Sequence, residues 1–294
     1  MTVLCADFDS AHDAIAHFLD AKNANAPEVI SLAAAGPMVN DTIRFTNNHW
    51  SVSASDLAAS FAGAKVRVLN DFNAIALAIP HLDDGEKLQI GLPEAGPLAT
   101  DDATIGVVGP GTGLGAVGLR LIDNNSIPVI SEGGHMGFAP ATQVQLDILT
   151  VLRERFDRVS TERLVAGEGL ENIHWALGRL HGQDWPIRTA AEIFDAAQNN
   201  EDGRAAEAVH MFFEVLGQFA GDFALAIGAH DGIFIGGGIV PRYPQLFANS
   251  GFRAGFENKG RVRSMLEKIP TQLVLHENPG LLGAAVVAAD LASD

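Results

Sequence analysis

The feature that most constrains the fold of this chain is a turn with four alternate glycines, Gly109, Gly111, Gly113 and Gly115, set between two apolar runs. Glycine adopts positive φ freely and has no side chain, so such a turn can aim successive backbone N–H groups into one small space. That space suits an anion, and phosphate is the usual one. The same sequence is equally compatible with an ordinary glycine-rich hairpin that binds nothing.

A dinucleotide-binding turn is the main competing interpretation. Gly111, Gly113 and Ala116 match the pattern G-x-G-x-x-A, but that pattern requires a strand before the turn and a helix after it. Residues 116–122, AVGLRLI, are typical of a strand instead. The Walker sequence G-x-x-x-x-G-K-[ST] does not occur in the chain. We therefore expect a hairpin around the turn, with the dinucleotide fold as a minor alternative.

Composition limits the partners that the chain can have. Its 294 residues, 47% of them hydrophobic, are enough for two domains with a substantial core. With 19 basic and 36 acidic residues the net charge is −17, which repels nucleic acid and anionic lipid, so neither is expected as a partner. A phosphate group would have to be held by local dipoles or by a metal ion rather than by a basic patch.

Cysteine use and hydropathy predict a cytoplasmic protein. The single cysteine, Cys5, excludes an intramolecular disulfide and a multi-cysteine zinc site, and it suits a reducing compartment. No apolar run reaches the roughly 18 residues of a membrane span, and the first residues lack the pattern of a signal peptide.

The order of predicted elements indicates an α/β fold, because strands alternate with helices. We expect a small α/β domain over residues 1–103 and a large α/β domain with helical insertions over residues 104–279. The last helix, residues 280–294, is expected to pack back on the small domain. Two short elements are also predicted, a strand at residues 2–6 and a helix at residues 162–166.

Asn70 and Asp71 are the first candidate site residues. They lie where a predicted strand ends and a helix begins, and ligands of open α/β sheets bind at such strand ends. Asn and Asp are also preferred helix caps, so a purely structural role is a serious alternative. A carboxylate here could still act as a general base, since a sugar hydroxyl must lose its proton as it attacks phosphorus.

Three further segments could contact a ligand. Glu132 and His135 flank two glycines and supply an acceptor and a switchable donor or acceptor, although a surface turn explains them too. Their spacing does not favour a metal site, because no second ligand stands nearby at suitable spacing. Glu162 lies at a predicted helix start, where acidic residues are favoured anyway. Residues 236–238, three glycines after an apolar strand, allow close backbone approach to a flat base or simply form a tight turn.

Taken in order along the chain, these motifs closely resemble bacterial glucokinase. The resemblance covers essentially the whole chain and is carried by the following segments: Asn70-Asp71, Gly111-Thr-Gly-Leu-Gly115, Glu132-Gly-Gly-His135, Ser160-Thr-Glu162, Gly236-Gly-Gly-Ile-Val-Pro-Arg242, Asn278-Pro-Gly-Leu-Leu-Gly283, Thr46-Asn-Asn-His-Trp50 and Ser250-Gly-Phe-Arg-Ala-Gly-Phe-Glu257. It implies the two-domain, actin-like ATPase (ribonuclease H-like) fold, the substrates glucose and ATP, Mg²⁺, and a homodimer. The related repressor and kinase group with a cysteine-rich zinc site is disfavoured, because Cys5 stands alone.

The resemblance also implies a role for each matching residue. Asp71 matches the catalytic base, and the expected sugar-hydroxyl ligands are Asn70, Asp71, Glu132, His135 and Glu162. The second phosphate loop corresponds to Gly109, Gly111, Thr112 and Gly113. The adenosine motif corresponds to Gly236, Gly237 and Gly238. No resident metal-ligating residue is implied. We expect the sugar ligands to line one cleft.

The chain departs from the family at its start. The family opens with a strand that ends in D-x-G-G-T and helps to hold the triphosphate and magnesium, and this motif does not occur here. On this ground two central strands are expected to be missing, unless residues 2–6 replace the first one in degenerate form. Three interpretations follow: an ATP-dependent glucokinase, a sugar-binding pseudokinase or sensor, and a chain started at an internal methionine of a normal glucokinase. The missing loop predicts weak ATP binding and little turnover.

Overall fold

The computed structural model of the chain describes residues 1–36, 38–45 and 50–293. The segment 46–49, which contributes to the resemblance, lies outside the described residues. The chain divides into two compact units, one formed by Met1–His81 with Glu277–Asp294 and the other by Leu82–His276.

The helices and strands of the described residues are numbered in chain order. The helices are α1 (Ala11–Lys22), α2 (Ala54–Ser60), α3 (Asp71–Ala78), α4 (Gln143–Leu152), α5 (Gly167–Leu180), α6 (Ala190–Gln198), α7 (Gly203–Ile227), α8 (Pro244–Ala248), α9 (Phe252–Glu257), α10 (Arg263–Leu266) and α11 (Pro279–Ser293). The strands are β1 (Val29–Ala34), β2 (Met38–Val39), β3 (Thr42–Arg44), β4 (Ser51–Ser53), β5 (Lys65–Asn70), β6 (Lys87–Gln89), β7 (Asp102–Pro110), β8 (Leu114–Ile122), β9 (Asn125–Ser131), β10 (Gly232–Ile235) and β11 (Thr271–Val274). Short 3₁₀ turns lie at Cys5–Asp7, Ile79–His81, Asp84–Glu86, Gly133–His135, Thr161–Arg163, Val240–Arg242 and Gly260–Val262.

The first unit is built around the parallel pair β1 and β5. The pairing runs from Val29 opposite Lys65 to Ala34 opposite Asn70, so both strands end at the same level. A parallel pair needs a crossover, and here it contains α2 and the antiparallel sheet β2-β3-β4. Ser53 caps the start of helix α2, because its side chain accepts a hydrogen bond from the Asp56 N–H at 3.2 Å.

Helix α11 returns to the first unit and packs against α3 and β1. Gly283 on α11 has no room for a Cβ atom, because the carbonyl oxygen of Ala74 on α3 occupies that space. The backbones of the two helices therefore approach closely at this point, which a larger residue would prevent. The apolar core of the unit includes Ile30, Ile43, Trp50, Val52, Leu57 and Val68.

The second unit contains a six-stranded sheet in the order β6-β11-β10-β7-β8-β9, counted over the described residues. Strands β11, β10 and β7 are parallel, and β7, β8 and β9 form an antiparallel meander. The hairpin predicted around the glycine turn is therefore confirmed. The dinucleotide alternative is wrong, because β8 and not a helix follows the turn.

Helix α7 is the longest helix of the second unit. Asp202 caps its start by accepting a hydrogen bond from the Arg204 N–H at 3.0 Å, and Gly228 ends it at φ 67° in the left-handed region. Most of its length is buried against α5, α6 and α9. Among the described residues, the structure contains no helix that is both long and apolar enough to cross a membrane.

Three details differ from the sequence-based expectations. Residues 2–6 form no strand, since a 3₁₀ turn occupies Cys5–Asp7, so the idea of a degenerate first strand is wrong. The predicted helix at residues 162–166 is only a 3₁₀ turn at Thr161–Arg163. The division between the units falls at His81 and Leu82 rather than at residue 103, because β6 pairs with the distant β11 in the second unit's sheet.

Candidate active site

Asn70 and Asp71 lie at the carboxyl end of β5, where the strand passes directly into α3. Asn70 is the N-cap residue, and its Oδ1 accepts a hydrogen bond from the Phe72 N–H at 3.0 Å. Its Nδ2 donates to the carbonyl oxygen of Gly36 at 3.2 Å, just beyond the end of β1. The capping role foreseen as an alternative is therefore real for Asn70, and it fixes the strand end that carries Asp71.

The Asp71 carboxyl is half-buried, and its Oδ1 also accepts a hydrogen bond from the Phe72 N–H, at 2.9 Å. Burial raises the pKa of Asp71 above its usual value of 3.8, and the hydrogen bonds from the backbone oppose that rise without cancelling it. A carboxylate with a raised pKa is a better proton acceptor, which is the property that a general base requires.

The glycine turn in the second unit is short. Strands β7 and β8 pair up to Pro110 opposite Leu114, which leaves Gly111, Thr112 and Gly113 as the loop. The Gly111 N–H donates to the carbonyl oxygen of Gly113 at 2.7 Å, and Thr112 is exposed at the tip. The turn is thus a tight tip in which Thr112 is the only residue with a side chain.

The loop at residues 236–238 lies directly against this turn, because β10 pairs in parallel with β7. The Gly236 N–H donates to the carbonyl oxygen of Val108 at 2.9 Å. A Cβ atom on Gly109 would lie 2.6 Å from the carbonyl carbon of Gly236, and one on Gly237, whose φ is +84°, would lie 2.6 Å from the carbonyl oxygen of Pro110. Glycine is required in both loops so that their backbones can touch.

Farther out, the same two loops separate. A Cβ atom on Gly111 would meet only the Gly238 nitrogen, at 3.9 Å, and one on Gly238 would meet nothing within 4 Å. Open space therefore remains at the outer ends of the two glycine loops, among the described residues. Unpaired backbone N–H groups in such loops can bind phosphate oxygens without a basic side chain.

Gly167, at the start of α5, also contacts the turn, which the sequence did not predict. Its N–H donates to the carbonyl oxygen of Gly111 at 3.0 Å. Ala166, in the N-cap position, offers no capping side chain, so no local sequence signal marks this helix start. The positive end of the α5 dipole thus lies beside the glycine turn, where it would favour an anion.

Glu132 and His135 lie just after β9, on a 3₁₀ turn at Gly133–His135. Ala116 of β8 bridges to Glu132, and the Gly133 N–H donates to Ser131 Oγ at 2.8 Å. Both side chains are exposed, and the Glu132 carboxylate makes no hydrogen bond or ion pair with the described residues. Its acceptors are free for a ligand.

Glu162 connects this turn with the glycine turn. Its Oε1 lies 3.6 Å from His135 Nδ1, and its Oε2 accepts a hydrogen bond from the Leu114 N–H at 2.9 Å. The Thr161 N–H holds the segment in place by donating to the carbonyl oxygen of Met136 at 2.9 Å. The three candidate ligands of the second unit therefore come from turns that contact the same end of β8.

The predicted site residues are thus distributed over both units. Asn70 and Asp71 belong to the first unit, and all the others belong to the second. The described part of the chain contains no group of three or more His, Cys, Asp or Glu side chains that could hold a metal ion.

Comparison with known proteins identifies the family. The family model described as glucokinase matches residues 1–291. The glucokinase of Caulobacter sp. strain K31 is 39% identical over 95% of this chain and 84% of its own length, and that of Aromatoleum aromaticum is 40% identical over 97% and 85%.

Solved structures agree with this assignment. The glucokinase of an Antarctic psychrotroph is 34% identical, with a TM-score of 0.88 over 99% of this chain and 89% of its own. Two others, at 22% and 19% identity, share the fold: the Balamuthia mandrillaris glucokinase in complex with glucose (TM-score 0.79; 97% and 83%) and a Streptomyces griseus ROK-family glucokinase in complex with glucose and AMPPNP (TM-score 0.62; 95% and 87%). The actin-like ATPase fold is therefore confirmed, and the chain belongs to the glucokinase family.

Proposed function

We propose that this chain transfers the terminal phosphoryl group of ATP to glucose, releasing glucose 6-phosphate and ADP. The observation that supports this most directly is the contact between Glu162 and the glycine turn. It puts a carboxylate that can accept sugar hydroxyls beside a backbone turn suited to phosphate, within one unit. Glucokinase relatives at 39–40% identity over most of the chain add independent support.

Asp71 is proposed as the general base. The attacking sugar hydroxyl loses its proton as its oxygen bonds to phosphorus, and a carboxylate must accept that proton. The buried setting of Asp71, which raises the pKa, makes this carboxylate the better acceptor. Its place at the end of β5, fixed by the Asn70 cap, suits a group that must keep its orientation.

Glu132, His135, Glu162 and Asn70 are proposed to bind the other sugar hydroxyls. A carboxylate can accept hydrogen bonds from two neighbouring hydroxyls, and it is left unpaired when an epimer points one of them away. The free acceptors of Glu132 and the open Oε1 of Glu162 fit this role. Glucose should therefore be preferred over an epimer such as galactose.

ATP is proposed to bind with its phosphates at the glycine turn formed by Gly109, Gly111, Thr112 and Gly113, and with its adenosine at residues 236–238. Backbone N–H groups and the start of α5 supply the donors there, so a protein of net charge −17 can hold the phosphates. Mg²⁺ would enter on the nucleotide's own oxygens and neutralise developing charge.

The comparisons favour the kinase over the sugar-binding pseudokinase or sensor, because relatives named glucokinase match almost the whole chain. We therefore expect turnover, in contrast to the weak activity that the missing loop predicts. The start at an internal methionine stays a prediction. A homodimer and a cytoplasmic location stay predictions. Sedimentation velocity of the purified chain would report the first.

Product analysis tests the proposal. The chain is incubated with ATP, MgCl₂ and glucose, and the products are followed by phosphorus NMR. We expect a phosphomonoester on the glucose 6-oxygen, formed in a one-to-one ratio with ADP. The same incubation with galactose should give far less product. ADP formed without sugar phosphate, or a product phosphorylated elsewhere, would contradict the proposal.

A further inference from the structure

The Glu162 carboxylate contacts two turns of the second unit, the glycine turn and the 3₁₀ turn that carries His135. One oxygen, Oε2, accepts the Leu114 N–H at 2.9 Å, and Leu114 directly follows the three-residue loop at the tip of the glycine turn. The other oxygen, Oε1, lies 3.6 Å from His135 Nδ1, which is longer than an ordinary hydrogen bond. One oxygen is therefore committed to the glycine turn, and the other keeps capacity for a ligand hydroxyl.

Gly113 is what allows the carboxylate to approach the turn. A Cβ atom at this position would lie only 2.5 Å from Glu162 Oε2. The backbone φ of Gly113 is not in the left-handed region, so space and not conformation requires glycine here. Any larger residue must displace the end of the Glu162 side chain, which is flexible enough to move without disturbing the fold.

The 3₁₀ turn Gly133–His135 also contacts Leu114, through the Leu114 carbonyl group. A Cβ atom on Gly134, next to His135, would collide with the carbonyl oxygen of Leu114. The N–H of Leu114 thus meets Glu162, and its carbonyl meets the 3₁₀ turn that carries His135. On the far side of the glycine turn, the carbonyl oxygen of Gly111 accepts the Gly167 N–H.

We propose that Glu162 couples sugar binding to the glycine turn: a sugar hydroxyl on Oε1 orders the carboxylate, and the ordered carboxylate holds the Leu114 N–H and hence the turn that receives phosphate. This rests on the proposed role of Glu162 as a sugar ligand. The new element is that sugar binding changes the order of the glycine turn, and the turn changes the affinity for sugar, when no nucleotide is bound. Coupling of this kind is reciprocal, so a change in the turn must alter the affinity for sugar.

The test is a substitution in the glycine turn that is read out as glucose affinity. Glucose binding to Gly113→Ala is measured by calorimetry without nucleotide. Because the new methyl group displaces a charged acceptor, we expect the dissociation constant for glucose to rise about 10- to 100-fold. The melting temperature should stay close to that of the wild type, which separates this effect from a loss of folding.

Gly96→Ala is the matched control. It makes the same chemical change in the same unit but outside the glycine turn, and its Cβ atom would meet nothing within 4 Å. Glucose affinity should be unchanged in this variant. A double-mutant cycle adds a second criterion: in a Glu162→Ala background, Gly113→Ala should have no further effect on glucose affinity.

Hydrogen exchange of the wild-type protein tests the same coupling without any substitution. The Leu114 amide should exchange more slowly when glucose is bound, because its acceptor is then better ordered. Two results would contradict the coupling but leave the proposed function standing. One is a wild-type glucose affinity in Gly113→Ala, and the other is a Leu114 exchange rate that does not change when glucose binds. A wild-type chain that binds no glucose would overturn the proposed function as well.

Discussion

At the scale of single residues, Asp71 combines two properties that oppose each other. Its burial makes the carboxylate a stronger base, and the same burial makes the ionised folded state less stable. Sites that must hold a charge for chemistry often carry such a cost. The sequence predicted the position of Asp71 at a strand end, but not its burial, which depends on the packing of the folded chain.

Asp71→Asn should therefore remove catalysis and raise stability. Removing a general base lowers kcat by about 10²- to 10⁴-fold, with a small effect on the KM for glucose. Because the folded pKa is raised, the folded state binds the proton more tightly, and wild-type stability falls as pH rises from 3.8 through the folded pKa. At pH 7 the variant should melt at a higher temperature than the wild type, and towards pH 4 the gap should narrow. An equal or lower melting temperature at pH 7 would contradict this.

Glu132 provides a separate residue-scale prediction. Its carboxylate has no partner among the described residues, so Glu132→Gln should leave the fold intact and weaken only ligand binding. Loss of a charge-assisted hydrogen bond should raise the KM for glucose about 10- to 100-fold, with the KM for ATP nearly unchanged. Glu154→Gln, at an exposed carboxylate that pairs with Arg179, is the control and should leave both values unchanged. Parallel rises in both KM values would argue against a sugar-specific role.

At the scale of elements, local signals predicted some boundaries well and missed others. Both ends of α7 carry local signals, since Asp202 caps its start and Gly228 ends it. The start of α5 carries no such signal, because Ala166 has no capping side chain. The pairing of β6 with β11 joins residues 183 to 187 positions apart, so no local pattern could reveal it. That pairing is why the division between the units was placed too late.

Glycine also sets how closely α7 packs on α9. A Cβ atom on Gly217 would overlap the carbonyl oxygen of Phe252, which is backbone and cannot move aside cheaply. Gly217→Ala should therefore lower the free energy of unfolding by about 1–3 kcal/mol, despite the better helix propensity of alanine. Gly203→Ala, at the start of the same helix in open space, should not destabilise the protein. Urea denaturation of both variants checks this. Equal stability of the two variants would contradict the packing argument.

At the scale of the whole molecule, the order of motifs predicted more than any single motif did. Each motif alone had a structural explanation, and for Asn70 that explanation is also correct, since it caps α3. Their common order identified the family, which the match over residues 1–291 confirms. The contact between Glu162 and Leu114 lay beyond prediction, since it joins residues 48 positions apart through the fold.

Phosphoryl transfer with Asp71 as the base is measured as the rate of glucose 6-phosphate formation from ATP and glucose by the wild-type chain and by Asp71→Asn. Calorimetry on the same two preparations measures glucose binding. We expect phosphorylation by the wild type, glucose binding by both proteins, and a loss of turnover in Asp71→Asn. A folded wild type that binds glucose but forms no glucose 6-phosphate would contradict it and favour a sugar sensor. An Asp71→Asn variant that keeps most of its turnover would contradict the assigned base.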